Sequence, residues 1–204
     1  MVLNKIIEEQ HSNATTAAFQ AGKNGNAVCG DMFITVENDR YFLAALADGL
    51  GSGKGARKSS EIAMDIVEQN FDAPMEDIFA LVNRALAHER GVVLTVVRID
   101  YVNNQITCGN IGNVECLLQI DNKDVMRIIP TAGFLSGRSF KARVHHFTFQ
   151  AKVGFVLHSD GVNHLRQKRD LTDVYERPVD VVKHLSKKVS IDKDDVTIIS
   201  GYVH

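Results

Sequence analysis

Apolar residues recur along this chain in two distinct rhythms, and each rhythm predicts a kind of element. Between residues 32 and 47 two apolar stretches, 32–36 and 41–47, flank the polar Glu37-Asn38-Asp39-Arg40, the pattern of a β-hairpin. After the glycine-rich segment 49–55 the period lengthens. Ile62, Ala63, Ile66 and Val67 recur at helical spacing, and so do Ile78, Val82, Ala85 and Leu86 after Pro74. Two consecutive amphipathic helices packed by their apolar stripes are expected there. Only two strands are expected ahead of them.

The pattern then returns to short β-rich runs at 92–99, 105–108, 114–120, 125–129 and 143–149. Turn residues Asn103-Asn104, Gly109-Asn110, Gly112-Asn113 and Asp121-Asn122 punctuate them, as in an antiparallel meander. A strand at 153–158 precedes a polar, helical region that ends in a clear helix at 178–189, with Val181, Val182, Leu185 and Val189 on one side. A strand at 196–203 closes the chain. Many antiparallel strands with helices inserted in pairs predict an α+β layered domain rather than a doubly wound parallel sheet.

The chain has 204 residues, enough for one substantial core, so a single domain over 1–204 is expected. A net charge of −2 lacks the basic excess that nucleic-acid binding requires. Cys29, Cys108 and Cys116 are odd in number and widely spaced, which suggests reduced thiols and a cytoplasmic protein. No apolar run approaches the roughly 18 residues of a membrane span.

Four acidic positions share a topological feature. Asp48 and Asp160 follow the last residues of strands that read as buried, whereas Asp31 and Asp194 immediately or nearly precede the first residues of others. An antiparallel strand ends beside its neighbour's start, so the four carboxylates could meet at one rim of a sheet. Each alone also fits an ordinary turn aspartate. Asp48-Gly49 and Asp160-Gly161 add a glycine after the acid, which permits a sharp turn and leaves a carbonyl available as a further ligand. Converging carboxylates need compensation, and an all-oxygen donor set favours Mg²⁺ or Mn²⁺ over Zn²⁺. Two such ions about 3.5 to 4 Å apart can activate a water toward phosphorus.

Gly30-Asp31, then Ala47-Asp48-Gly49-Leu50-Gly51-Ser52-Gly53, Ser159-Asp160-Gly161 and Asp194-Asp195-Val196-Thr197 resemble, in order, the motifs of metal-dependent serine/threonine phosphatases of type 2C. The resemblance spans nearly the whole chain. It is strongest to the compact bacterial branch that opposes anti-sigma-factor and stressosome kinases, which also shares a segment like Gly133 to Gly137. It implies two facing, mainly antiparallel sheets flanked by helices, in an α/β/β/α sandwich. It further implies that Asp48 bridges two Mn²⁺ or Mg²⁺ ions, that the Gly49 carbonyl binds one, and that Asp160 and Asp194 hold the other. Asp31 would bind directly or through water, with Asp195 as the alternative to Asp194.

The expected activity is hydrolysis of phosphoserine or phosphothreonine on a phosphorylated switch or scaffold protein of a stressosome-like complex, by a monomer. The alternative is a non-catalytic phosphoprotein-binding module that keeps its metals for support. Two departures from larger members stand out. Leu50 occupies the place of a histidine two residues after the bridging aspartate, and before Asp31 only Lys23 is near enough to stand in for a phosphate-gripping arginine.

Other signals are weaker. Gly49 to Gly55 fails as a P-loop, because Asp48 takes the first glycine's place and Gly55 that of the magnesium-binding hydroxyl. Gly51-x-Gly53-x-x-Ala56 imitates a dinucleotide fingerprint, but a second helix follows where a strand is required. Lys54, Arg57 and Lys58, and beyond Gly133 and Gly137 the cations Arg138, Lys141 and Arg143, fit either solvated faces or a landing strip for an acidic phosphoprotein. His145 and His146 are adjacent in a strand and point to opposite sides, so they do not chelate one ion.

Overall fold

The computed structural model describes residues 6–121, 123–162, 177–189 and 191–204. The helical region expected ahead of residue 178 therefore lies largely outside the described residues. The chain groups into two compact units, Met1–Cys29 with Glu115–Ile129 and Phe149–His204, and Gly30–Val114 with Pro130–Thr148.

The second unit holds a five-stranded antiparallel sheet and two helices. Its strands are β3 (Asp31–Glu37), β4 (Tyr41–Gly49), β5 (Val92–Asp100), β6 (Gln105–Ile111) and β9 (Arg143–Thr148), which lie side by side in that order. Helices α1 (Lys54–Gln69) and α2 (Met75–Ala85) arise where the apolar spacing required them. Leu43, Ala45 and Ala47 of β4 and Leu94 and Val96 of β5 share a core with Ala63, Met64, Val67, Ile78 and Phe79 of the helices. The small alanines of β4 let α1 approach closely. Phe42, Ala44 and Leu46, on the opposite face, are also fully buried, which explains the unbroken apolar run of this strand.

The first unit holds a six-stranded antiparallel sheet. Its order is β1 (Ile6–Gln10), β2 (Ala14–Ala21), β11 (Val196–Val203), β10 (Val153–His158), β7 (Glu115–Ile120) and β8 (Met126–Ile128). Helix α3 (Pro178–Ser186) starts on a proline, whose missing N–H costs nothing at a first helical turn. Val179, Val182 and Leu185 pack on Phe19, Val156 and Ile198.

Two expectations are corrected. Four strands, not two, precede α1. The pair β1 and β2 escaped notice because alanine dominates Ala14–Ala21, and Phe19 is the one large apolar side chain that marks it as a strand. The stretch from β5 to β9 is not one meander either. β6 pairs with β5 and β9, whereas β7 pairs with β8 and β10 in the other sheet. The switch occurs at Gly112, whose φ of 101° permits a sharp change of direction.

Asp121 closes β7 in a positive-φ conformation, at 54°. Its carboxylate accepts N–H bonds from Ala151 at 2.8 Å, Gln150 at 3.1 Å and Lys152 at 3.3 Å, fixing the turn that leads into β10. The Ala151 bond above all, then those from Gln150 and Lys152, holds this carboxyl below its ordinary range. Stability from a depressed carboxyl is present above the unfolded value, near 3.9, and is lost as pH falls through the folded one. Asp121→Asn, which tolerates the same backbone, is therefore expected to lower Tm at neutral pH. The gap from wild type should narrow as thermal unfolding is repeated below about pH 4.

Candidate active site

Asp31 is the first residue of β3 and Asp48 the last but one of β4, and the two are directly opposed in the β3–β4 ladder. Directly paired residues share a face, with Cβ atoms about 4.5–5.5 Å apart. Ala45 and Ala47 belong to the helix-side core, so both aspartates project on the face away from α1 and α2. Asp31 is only 1% exposed. Asp48 is half-buried, and like charges opposed at this range, one of them shielded from water, call for a cation or a proton between them.

Helix α1 fixes both strand ends. The Ser60 hydroxyl donates to the Gly30 carbonyl at 2.6 Å, just before Asp31. A Cβ on Gly49 would sit 2.1 Å from the Ala56 carbonyl oxygen, so only glycine lets the first turn of α1 close against the end of β4. Gly49 thus answers a close approach of backbones rather than a positive φ. Leu50 N donates to the Gly91 carbonyl, and Val92 exchanges both its backbone bonds with Leu135. Gly49, opposite Val92, therefore turns its carbonyl away from β5 and toward the β3 edge where Asp31 begins.

The other pair of acids stands in the first unit. β10 and β11 are adjacent and antiparallel, and Ser159 N donates to the Thr197 carbonyl just past the end of β10. Asp160 and Asp194, at these neighbouring ends, are both exposed. A Cβ on Gly161 would meet the Asp195 carbonyl oxygen at 2.2 Å, the same close approach that Gly49 makes. Asp195 is buried and accepts from Lys23 N at 2.8 Å, while Asp194 accepts from Asp195 N at 2.9 Å. Asp195 thereby ties the turn Lys23–Gly25 to the start of β11, and Asp194 is the acid of this pair that faces water.

The single rim expected for four carboxylates is thus corrected to two pairs, one in each sheet. Among the described residues no three His, Cys, Asp or Glu side chains are grouped closely enough to hold one ion. Each pair nonetheless offers only oxygen donors, the chemistry of Mg²⁺ and Mn²⁺, and the opposed Asp31 and Asp48 fit a divalent cation.

The remaining candidates separate by environment. Arg57 pairs with Glu61 at 2.7 Å and Lys58 with Glu89 at 2.6 Å, which leaves Lys54 exposed and outside any ion pair among the described residues. The Gly133 to Gly137 loop is pinned to α2. Asn83 Oδ1 accepts from Ser136 N and Gly137 N, and its Nδ2 donates to the Arg138 carbonyl. Gly137 is required there, because a Cβ would lie 2.4 Å from Ala87 Cα. The Arg138 side chain is exposed. His158 is buried, with Nδ1 3.0 Å from the Ser159 carbonyl and Nε2 3.5 Å from Glu115. His145 is half-buried and His146 exposed on β9. All three cysteines are buried and none forms a disulfide. No helix among the described residues is long and apolar enough to cross a membrane. Ser60, Asn83 and Arg90 were not singled out from the sequence, since each acts through a backbone group distant along the chain.

The phosphoserine phosphatase RsbX of Bacillus subtilis (strain 168) is 30% identical to this chain over 202 residues, covering 96% of this chain and 98% of that protein. A crystal structure of RsbX in complex with magnesium matches with a TM-score of 0.88 at 30% identity, over 98% of this chain and 100% of that one. A chain from structural work on the bacterial stressosome gives 0.83 at 23% identity, over 93% and 100%. The PP2C phosphatase domain of SpoIIE from Bacillus subtilis gives 0.79 at 20% identity, over 98% of this chain and 71% of that one. No family-level sequence profile matches. The α+β fold expected from the motifs is the fold of these relatives, and the chain belongs to the type 2C metal-dependent phosphatase family, in the branch that contains RsbX.

Proposed function

We propose that the chain is a phosphoprotein phosphatase that hydrolyses phosphoserine or phosphothreonine on a phosphorylated switch or scaffold protein of a stressosome-like complex, acting as a single domain. The observation that carries this reading is the in-register opposition of Asp31 and Asp48, in a chain that matches a phosphoserine phosphatase over almost its full length. RsbX has been seen with magnesium, and the oxygen donors here suit Mg²⁺ or Mn²⁺.

Asp48 and the Gly49 carbonyl, with Asp31 directly or through water, are the donors of the second unit, and Asp160 with Asp194 are those of the first. Two divalent ions would supply neutralising charge and a water acidic enough to attack phosphorus. The residues around them act by position. Ser60 and the Ala56 backbone hold the ends of β3 and β4 through Gly30 and Gly49, and Asp195 holds the start of β11. Both sets of donors are thus fixed before substrate arrives, so no reorganisation is needed when charge develops. Leu50 stands where an imidazole would protonate the leaving oxygen, so that proton comes from water.

The test is to incubate the chain with phosphorylated candidate switch proteins. Phosphate release is expected with Mn²⁺, to stop with a chelator and to return on adding Mn²⁺. Binding of the phosphoprotein without any release would instead establish a non-catalytic module.

A further inference from the structure

We infer that the free edge of β9 binds an extended acidic segment of a partner protein as an added strand. This surface involves none of the aspartates proposed as metal donors, so it stands or falls apart from the phosphatase reading above.

β9 is the last strand of its sheet and pairs with β6 alone. The ladder fixes which of its backbone groups face outward. Val92 exchanges both of its bonds with Leu135, so its pair with Gly49 is not hydrogen-bonded and the next pair, Asp48 with Val93, is. The same alternation, carried across β5 and β6, makes Cys108 with His145 a bonded pair, and likewise Asn110 with Arg143 and Ile106 with Phe147. Val144, His146 and Thr148 therefore turn their N–H and C=O groups away from β6. None of these groups has a hydrogen-bond partner among the described residues, and His146 and Thr148 are exposed. A strand edge about 20 Å long is thus open to another chain.

Charge sets the chemistry of the partner. Residues 130–148 contain Arg138, Lys141 and Arg143 and no aspartate or glutamate, in a chain with 25 acidic and 23 basic residues. All three cations are exposed, and none joins an ion pair among the described residues. Phe140, Ala142 and Val144 pack against the helix-side core, which fixes the backbone between them and holds Lys141 and Arg143 at the start of the open edge. The other sheet edges differ. β1 carries Glu8 and Glu9, β3 begins at the buried Asp31, and β8 has only three residues. A cationic edge disfavours pairing with a second copy of itself and favours an acidic strand, whose backbone supplies affinity and whose carboxylates supply selection.

The test measures binding of a labelled octapeptide of alternating glutamate and threonine to the full chain, by fluorescence anisotropy at low ionic strength, beside the same peptide with lysine for glutamate. One-to-one binding of the acidic peptide alone is expected. His146→Pro and Thr148→Pro remove outward N–H groups that β6 does not use, where an edge strand accepts proline. Each should weaken binding about 5-fold or more, while Mn²⁺-dependent turnover of an aryl phosphate stays as in wild type. An acidic peptide N-methylated at two adjacent central residues, which blocks both of its edges, should bind the unaltered chain as poorly, whatever the stability of the variants. Lys141→Gln combined with Arg143→Gln should weaken binding about 3-fold or more at low ionic strength and little in high salt. Absence of binding, equal binding of the N-methylated peptide, or equal binding of an oligonucleotide of the same charge would overturn the inference. So would a dimer that His146→Pro dissolves, since the edge would then join two copies of the chain. Peptide binding in a wild-type chain that turns over no phosphate ester would remove the phosphatase reading and leave this surface standing.

Discussion

Asp48→Asn is expected to cut phosphate release by about 10³-fold, the scale of losing one group that stabilises charge in a transition state. The same substitution should leave the metal-free chain as stable as wild type or more so. Asp48 is directly opposed to Asp31, and Asp31 is almost fully buried. Removing one of two facing like charges relieves a repulsion when no cation compensates it. Asparagine keeps the shape and loses the charge. Steady-state hydrolysis of an aryl phosphate with Mn²⁺ reads the first effect, and thermal unfolding in chelator reads the second. Activity within about 10-fold of wild type would remove Asp48 from the centre of the account. A large fall in metal-free Tm would assign it to folding instead.

Gly49→Ala is expected to act through the backbone and to destabilise the chain with or without metal. The new Cβ would meet the Ala56 carbonyl oxygen at 2.1 Å, and neither β4 nor the first turn of α1 can yield without breaking other contacts. The β4 ladder continues through Val92 and the Ser60 hydroxyl binds the Gly30 carbonyl, so both sides of the clash are anchored. Overpacking of this kind costs about 3 kcal/mol. In a chain of this size that lowers Tm by roughly 6–12 °C. Activity should fall together with stability, because the same shift moves Asp48. An unchanged Tm in thermal unfolding would mean that α1 adjusts freely, and that the donors on β3 and β4 are not held by it.

Much of this arrangement was written in local patterns. The runs ending at His158 and Val203 are apolar on both faces and became β10 and β11 with the expected bounds, and the spacing of Ile62 to Val67 and of Ile78 to Leu86 located α1 and α2. Ala14–Ala21 was illegible because its strand character comes from pairing with β1 and β11, not from its own side chains. The aspartates were legible as motifs, since each stands at a strand end with a glycine or a second acid beside it. Their division between two sheets was not, because it depends on which strands pair across long separations. Arg90 shows the same limit. Its partner, the Ser52 carbonyl, is 38 residues away along the chain, and neither residue carries a local pattern that predicts the contact.

The chain is proposed to act by holding two divalent ions on aspartates drawn from two separate strand pairs. Calorimetric titration of the metal-stripped chain with Mn²⁺, repeated with Asp194→Asn, tests this most directly. The account predicts two ions bound per wild-type chain and weakened binding of one of them in the variant. A wild-type chain that releases phosphate from phosphoserine while binding no Mn²⁺ or Mg²⁺ would contradict it.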